Sequence, residues 1–224
     1  MRARRLAPHV VRDVTATLPR SARADMAVPS YGHWNPLIRW LFWARLDAAL
    51  RLALVRPGEA VVDFASGTGV LLPSIAALGA TVIATDLRPQ PTRTLIGQLG
   101  LAVHSMDLES FAAWAPLHPA SVDCIFALDV LDHVGSGDLL AWSSLFAALL
   151  RTNGRLIVSG ATETTWHKLG RAVAGFRNEY HQRSVFDVDA ALRQRWARDR
   201  MLFLPPRPLP PAFMLARYRG GHAD

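Results

Sequence analysis

Two carboxylates and a turn of small residues carry the chemistry that is legible in this chain. Asp63 ends an apolar run, Ala60-Val61-Val62, and a turn follows at once, Ala65-Ser66-Gly67-Thr68-Gly69. Asp86 ends a second apolar run that begins at Thr81. Glycine lets a backbone approach a ligand where a Cβ would clash. A carboxylate at the end of the second run can accept the hydroxyl protons of a ribose, and its distance from the turn is near the ~20 residues usual for that role. A dinucleotide site would show G-x-G-x-x-G, but only Gly67 and Gly69 are present. An acid just before the turn is poor for cradling phosphate and good for a ligand with positive charge. These residues must be held by a strand, the turn, a helix stopped at Gly79 and a second strand, which is a nucleotide-binding βαβ unit.

The run VVDFASGTG resembles motif I of the class I S-adenosylmethionine-dependent methyltransferases, of the methyltransferase type 11-like kind. It departs from that motif at Ala65, where the first glycine usually falls, and at Ser66. The resemblance covers about residues 57–218. It implies an α/β fold: a Rossmann-like, seven-stranded, mostly parallel sheet with an antiparallel C-terminal hairpin and helices on both faces. It implies S-adenosyl-L-methionine as cofactor, held by Asp63, Ala65, Ser66, Gly67 and Gly69, by Asp86 and Leu87 at the ribose, by Met106 and Asp107 at the adenine, and by Leu128 and Asp129 after the fourth strand. The chemistry implied is in-line displacement at a sulfonium methyl, where the protein aligns acceptor, methyl and sulfur. A base is required only for an acceptor that keeps its proton near neutrality. His181, His133, His167 and Tyr31 are the candidates. His133 reads as a base or, preferably, as the residue that holds the loop after the fourth strand. No metal site is expected, since His167 and His181 lack ligand spacing with each other.

Around that unit, Asn35-Pro36 is a helix start, a capping side chain followed by a proline whose missing N–H is harmless. Pro57-Gly58 ends the segment, so 36–56 reads as a cap helix. Leu37, Trp40, Leu41, Ala44, Ala48 and Leu52 form its apolar face, widened by Ile38, Phe42 and Trp43, and Arg39, Arg45 and Asp47 mark its polar side. Trp34, Trp40 and Trp43 beside arginines also suit a membrane headgroup zone. Tyr31, His33 and Trp34 are near-site candidates. Further on, the pattern predicts a helix over Thr92–Leu99, strands over Ala102–Ser105 and Val122–Leu128, a helix over Leu139–Leu150, a stop at Thr152-Asn153-Gly154 and a strand over Arg155–Ser159. LLRTNGRLIVSG is similar to the family's motif III. Residues 162–196 read as the substrate insertion, helical over 185–196. Met201–Leu204 and Phe213–Tyr218 read as a closing hairpin around PPRPLPP. Residues 1–28 are expected to be a mobile arm, and 29–224 a single domain.

Half of the 224 residues are hydrophobic, enough for one full core. The single cysteine, Cys124, excludes an internal disulfide framework and sits in an apolar run, as core residues do. Lys168 is the only lysine among the basic side chains, which fits a GC-rich, bacterial genome. Residues 1–60 carry net +6, residues 61–150 carry −6 and the rest carry +7. Basic flanks lying together over the site would favour an anionic acceptor or membrane surface; a solvated arginine surface is the plainer alternative. No stretch reads as a membrane span or a secretory leader. The expected protein is therefore cytoplasmic, with a peripheral membrane contact, and acts on a small or lipid-like acceptor by O- or C-methylation. No basic stripe interleaved with aromatics points to nucleic acid. Two other readings stay open: a non-catalytic binding protein whose degenerate site is filled by its own side chains, and a nicotinamide-dependent reductase.

Overall fold

A computed structural model describes residues 2–16, 18–19, 28–162, 183–206 and 208–220. Three helices precede the sheet: α1 (Pro8–Asp13), α2 (Val28–Tyr31) and α3 (Pro36–Ala53). Then come β1 (Ala60–Phe64), α4 (Leu72–Ala76), β2 (Thr81–Asp86), α5 (Gln90–Leu99), β3 (Val103–Asp107), α6 (Leu108–Trp114), β4 (Val122–Leu128), α7 (Ser136–Leu149) and β5 (Leu150–Ala161). After the insertion follow α8 (Val185–Leu192), β6 (Trp196–Leu204) and β7 (Phe213–Gly220). The seven strands lie in the order β3-β2-β1-β4-β5-β7-β6. The first five run parallel, and β7 pairs antiparallel with both β5 and β6. This is the seven-stranded sheet with a reversed C-terminal pair that the sequence led us to expect.

Alternation along the strands builds two cores, because successive side chains point to opposite faces. Val61, Phe126, Ile157 and Leu215 face α3 and α4, where Trp43, Leu46, Leu50, Leu72 and Ile75 are buried. Val62, Ile125, Leu156 and Met214 face the other way, toward Phe111, Phe146, Leu149 and Val188. Each fully buried side chain of this size contributes about 2 kcal/mol, more than the ~0–1 kcal/mol of an exposed ion pair, so burial of the sheet dominates. Cys124 lies in this core, and burial pushes its thiol up to about 12, so it is inert.

Several boundaries differ from the sequence reading. Helix α7 starts at Ser136, and strand β5 begins directly after it at Leu150. Residues 151–154 do not stop the element; they are extra residues between the Val122–Leu150 and Cys124–Arg155 pairs. Gly154 is required there, since a Cβ would lie 2.8 Å from the Arg151 carbonyl oxygen. The helix expected over 185–196 ends at Leu192, and Trp196 already opens β6. On β6 the register shifts at Asp199, whose carboxylate accepts hydrogen bonds from Arg217 and Arg219 of the neighbouring strand.

The arm at 1–28 is docked where it is described. Ala3, Val11 and Val14 are buried, the Ala3 N–H donates to Asp47 (2.6 Å), and the Arg4 N–H donates to the Ser74 hydroxyl (2.8 Å). Arg45 and Asp47, read as the polar side of the cap helix, are both buried. Among the described residues of the basic C-terminal segment, several arginines are engaged in ion pairs. Arg155, Arg198 and Arg217 pair with Glu59, Asp189 and Asp199, and Arg155 and Arg217 also donate to the last carbonyls of α3.

Candidate functional site

The turn after β1 folds around three backbone positions in the left-handed region: Ala65 (φ 56°), Gly67 (φ 58°) and Gly69 (φ 76°). A Cβ on Gly69 would lie 3.0 Å from Leu72 and 3.2 Å from Leu95, so glycine is needed there for packing. At Gly67 no heavy atom lies within 4 Å of where a Cβ would be. The turn is therefore open on that side, and a site filled by its own side chains is not what Gly67 faces. Ala65 occupies a conformation that costs an L-residue roughly 1–2 kcal/mol, which explains why a glycine is usual at this point. Ala65→Gly is expected to be neutral or to raise stability by up to about 1 kcal/mol despite the added chain entropy, read as a melting-temperature shift.

Asp86 fastens the turn. Its two oxygens accept from the Gly67 N–H and the Arg88 N–H, each at 2.8 Å. An ionised carboxylate offers about four lone-pair directions, so capacity remains for two hydroxyl donors. Thr92 of α5, fully buried, closes the turn from the opposite side: its hydroxyl donates to the Gly67 carbonyl (2.8 Å) and lies 3.1 Å from the Ser66 hydroxyl. Asp63 is buried at the end of β1, and burial together with the nearby Asp86 charge pushes its carboxyl up to about 7. Burial also raises Asp86, against the lowering effect of its backbone donors. Two neighbouring acids, both raised by burial, form a site that favours a positively charged ligand. Leu87, beside Asp86, is exposed.

Strand β3 brings the next two candidates level with these. Met106 pairs with Thr85, and Asp107 pairs with Asp86. Met106 is buried. Asp107 caps α6 by accepting from the Ser110 N–H (2.8 Å), and that bond holds its carboxyl below the usual range, so it is ionised.

After β4 the chain turns through Asp129 in the left-handed region (φ 54°). Its carboxylate is already engaged: one oxygen accepts from the Ser159 hydroxyl (2.6 Å), and the other pairs with the buried guanidinium of Arg45. Arg45 also donates to the Tyr31 hydroxyl (2.6 Å) and lies over the rings of Phe42 and Phe213, 5.2 and 5.1 Å from their centroids. Tyr31, a base candidate, is thus the outer member of a buried chain that leads to the end of β4. Leu128, just before Asp129, is half-buried. His133 is half-exposed in the following loop, with its ring 3.9 Å from Asp132 and its backbone N–H on the Val130 carbonyl (3.0 Å). His33 is buried, and its Nδ1 accepts from the Asn35 N–H (3.0 Å), so it shapes the start of α3. His167 and His181 lie outside the described residues. Among the described residues no cluster of three or more His, Cys, Asp or Glu could hold a metal. No helix among them is long and apolar enough to cross a membrane.

Sequence reasoning missed Arg45, Ser159 and Thr92. A signal for Arg45 was present: it falls between Leu41 and Ala48, on the apolar stripe of α3.

A family model described as a methyltransferase domain matches residues 37–199. A ubiquinone biosynthesis O-methyltransferase of Xanthomonas campestris pv. campestris (strain B100) is 33% identical over 129 residues, 54% of this chain and 50% of that protein. One of the same description from Cupriavidus pinatubonensis is 32% identical over 105 residues, 46% of this chain and 41% of that one. The chain spans about half the length of the curated relatives it matches. Among solved structures, the N-methyltransferase NodS of Bradyrhizobium japonicum, in complex with S-adenosyl-L-homocysteine, aligns with a TM-score of 0.66 at 15% identity over 91% of this chain and 98% of its own. Magnesium protoporphyrin IX methyltransferase of Synechocystis PCC 6803 aligns with a TM-score of 0.64 at 19% identity over 96% and 99%. Those two likenesses are of fold. Together with the open turn at Gly67, the buried Asp63 and the seven-stranded order, the family match over most of the chain leads to one conclusion: the protein belongs to the class I S-adenosylmethionine-dependent methyltransferases.

Proposed function

We propose that this methyltransferase modifies an oxygen, or a carbon, of a small and lipid-like acceptor. The observation that carries the reading is the surface beside the site. Trp34, Leu37 and Trp40, just before and at the start of α3, are 82%, 67% and 45% exposed, a large apolar surface. The naming of the curated relatives as O-methyltransferases supports oxygen over carbon. After β4 the sequence is Leu128-Asp129-Val130-Leu131, without the Asn/Asp-Pro-Pro-aromatic motif of nitrogen methylation.

When bound, S-adenosylmethionine supplies a methyl group already activated on a sulfonium. The residues of the chain then bind and orient. Asp63 offers its carboxylate to the positive part of the cofactor. Asp86 has two accepting directions left for ribose hydroxyls, and the backbone at Gly67 allows close approach. Met106 offers an apolar surface to the adenine, and Asp107 offers its carboxylate to the amino group. His133 lies in the loop that follows β4 and is the candidate base there for a phenolic or alcoholic acceptor.

The test is transfer of a labelled methyl group from the cofactor into cell extract, separated into lipid and water-soluble fractions. Label in the lipid fraction, stable to conditions that cleave esters, is the expected result for an O- or C-methylated lipid-like acceptor. Label confined to the water-soluble fraction removes the lipid-like character. Cofactor binding with no transfer at all turns the reading toward a non-catalytic binding protein.

A further inference from the structure

A cleft of about 430 Å³ lies between the N-terminal arm and the start of α3. Its lining includes Leu6, Tyr31, Trp40 and Trp43, together with Arg5 and Arg39. The arm forms one wall because it is packed down: a Cβ on Gly32 would lie 3.3 Å from the Pro8 Cβ, and Ala3 and Arg4 are bonded to Asp47 and Ser74. Tyr31 forms the inner wall. Its hydroxyl meets Arg45, and Arg45 meets Asp129 at the carboxyl end of β4, so the cleft is one side chain removed from that end of the sheet.

Resting on the methyltransferase reading above, we propose that this cleft seats the methyl acceptor, and that the acceptor is a ring system carrying an anionic group. Three features carry the proposal. The volume falls in the range of small-molecule sites, about 300–1,000 Å³, and is too small for a two-chain lipid. The walls are aromatic, which favours a flat apolar body. Arg5 and Arg39 have no carboxylate partner among the described residues. Arg39 is steadied by one bond to the His33 carbonyl (3.2 Å), which leaves most of its guanidinium free to meet an anion. Most other basic side chains of the described C-terminal strands are consumed by ion pairs, so these two are positioned for a different charge. A carboxylate and a phosphate share the chemistry that two guanidiniums recognise.

Three probes separate the contributions: 2-naphthol, 3-hydroxy-2-naphthoate and 2-naphthyl phosphate, titrated into the full-length protein and followed by tryptophan fluorescence. At least one anion is expected to bind tenfold or more tightly than the naphthol, and which one identifies the anionic group. Arg5→Gln and Arg39→Gln are each expected to weaken that anion at least threefold and to leave the naphthol unchanged. S-adenosylmethionine binding, measured by calorimetry on the same variants, is expected not to move. The proposal is overturned if none of the three binds at millimolar concentration. It is equally overturned if naphthol and anions bind alike, or if neither variant changes the anion. Failure of the wild-type protein to bind S-adenosylmethionine would instead strike the underlying enzyme reading.

Discussion

Replacing Asp63 with Asn is expected to weaken S-adenosylmethionine binding on the order of a hundredfold while raising the melting temperature of the ligand-free protein above pH 7. Both effects have one cause. The Asp63 carboxyl is raised to about 7 because it is buried and faces Asp86. The folded, ligand-free chain therefore holds a proton that the unfolded chain loses near pH 4. The linkage relation then gives a stabilising contribution that is complete below about pH 4 and is lost as pH rises to about 7. Its size is at most roughly 4 kcal/mol, and an uncharged Asn does not incur the loss. Cofactor binding runs the other way. A ligand with a sulfonium and an ammonium favours the ionised carboxylate, and a charged hydrogen bond of about 1.5–3 kcal/mol corresponds to a ten- to hundredfold or greater change in affinity. Affinity in the wild-type protein should fall as pH drops below about 7, by up to about tenfold per unit, with a proton released on binding. Calorimetry in two buffers of different ionisation enthalpy measures that proton directly. An affinity flat from pH 5.5 to 8 would remove Asp63 from the site.

The second large effect is expected from Arg45→Met, which should destabilise the protein by about 3–5 kcal/mol. The methionine fills much of the same space between Phe42 and Phe213, so lost packing is a small part of the cost. The larger part is Asp129, a half-buried carboxylate left without its cation and with the Ser159 hydroxyl as donor. For a chain of this size each kcal/mol moves the melting temperature by about 2–4 °C, so a drop near 10 °C is anticipated. Adding Asp129→Asn to Arg45→Met should recover at least half of that drop, because the uncompensated charge is gone. Additive losses in the double variant would mean that the two side chains are not energetically coupled.

The turn at 65–69, the acid closing β2 and the reversed C-terminal strands were readable because each rests on local chemistry. A left-handed backbone asks for small residues, a strand asks for alternating or continuous apolar runs, and a helix start asks for a cap such as Asn35. Arg45 and Asp47 were misplaced for the opposite reason. Their environment is set by residues far along the chain: Asp129 for Arg45 and the Ala3 N–H for Asp47. A charged residue on an apolar stripe is the trace such pairs leave in a sequence, but it does not name the partner. The 150–154 segment misled because Asn153-Gly154 is turn chemistry, whereas here Gly154 serves a close approach inside β5. Likewise the docking of the arm depends on backbone N–H groups, which every sequence has, meeting two particular side chains.

The displaced Asp199 on β6 bears on how the molecule behaves in a concentrated solution. Strand β6 forms one margin of the sheet, where an unpaired backbone ladder invites a neighbouring copy to add itself. At Asp199 that ladder is interrupted, and the intruding charge is clamped from behind by Arg217 and Arg219. A second molecule sliding alongside would have to match a broken repeat and leave ionised groups stranded from water. Zipper-like aggregation from this flank is thereby discouraged by the same residue that fastens the last two strands together.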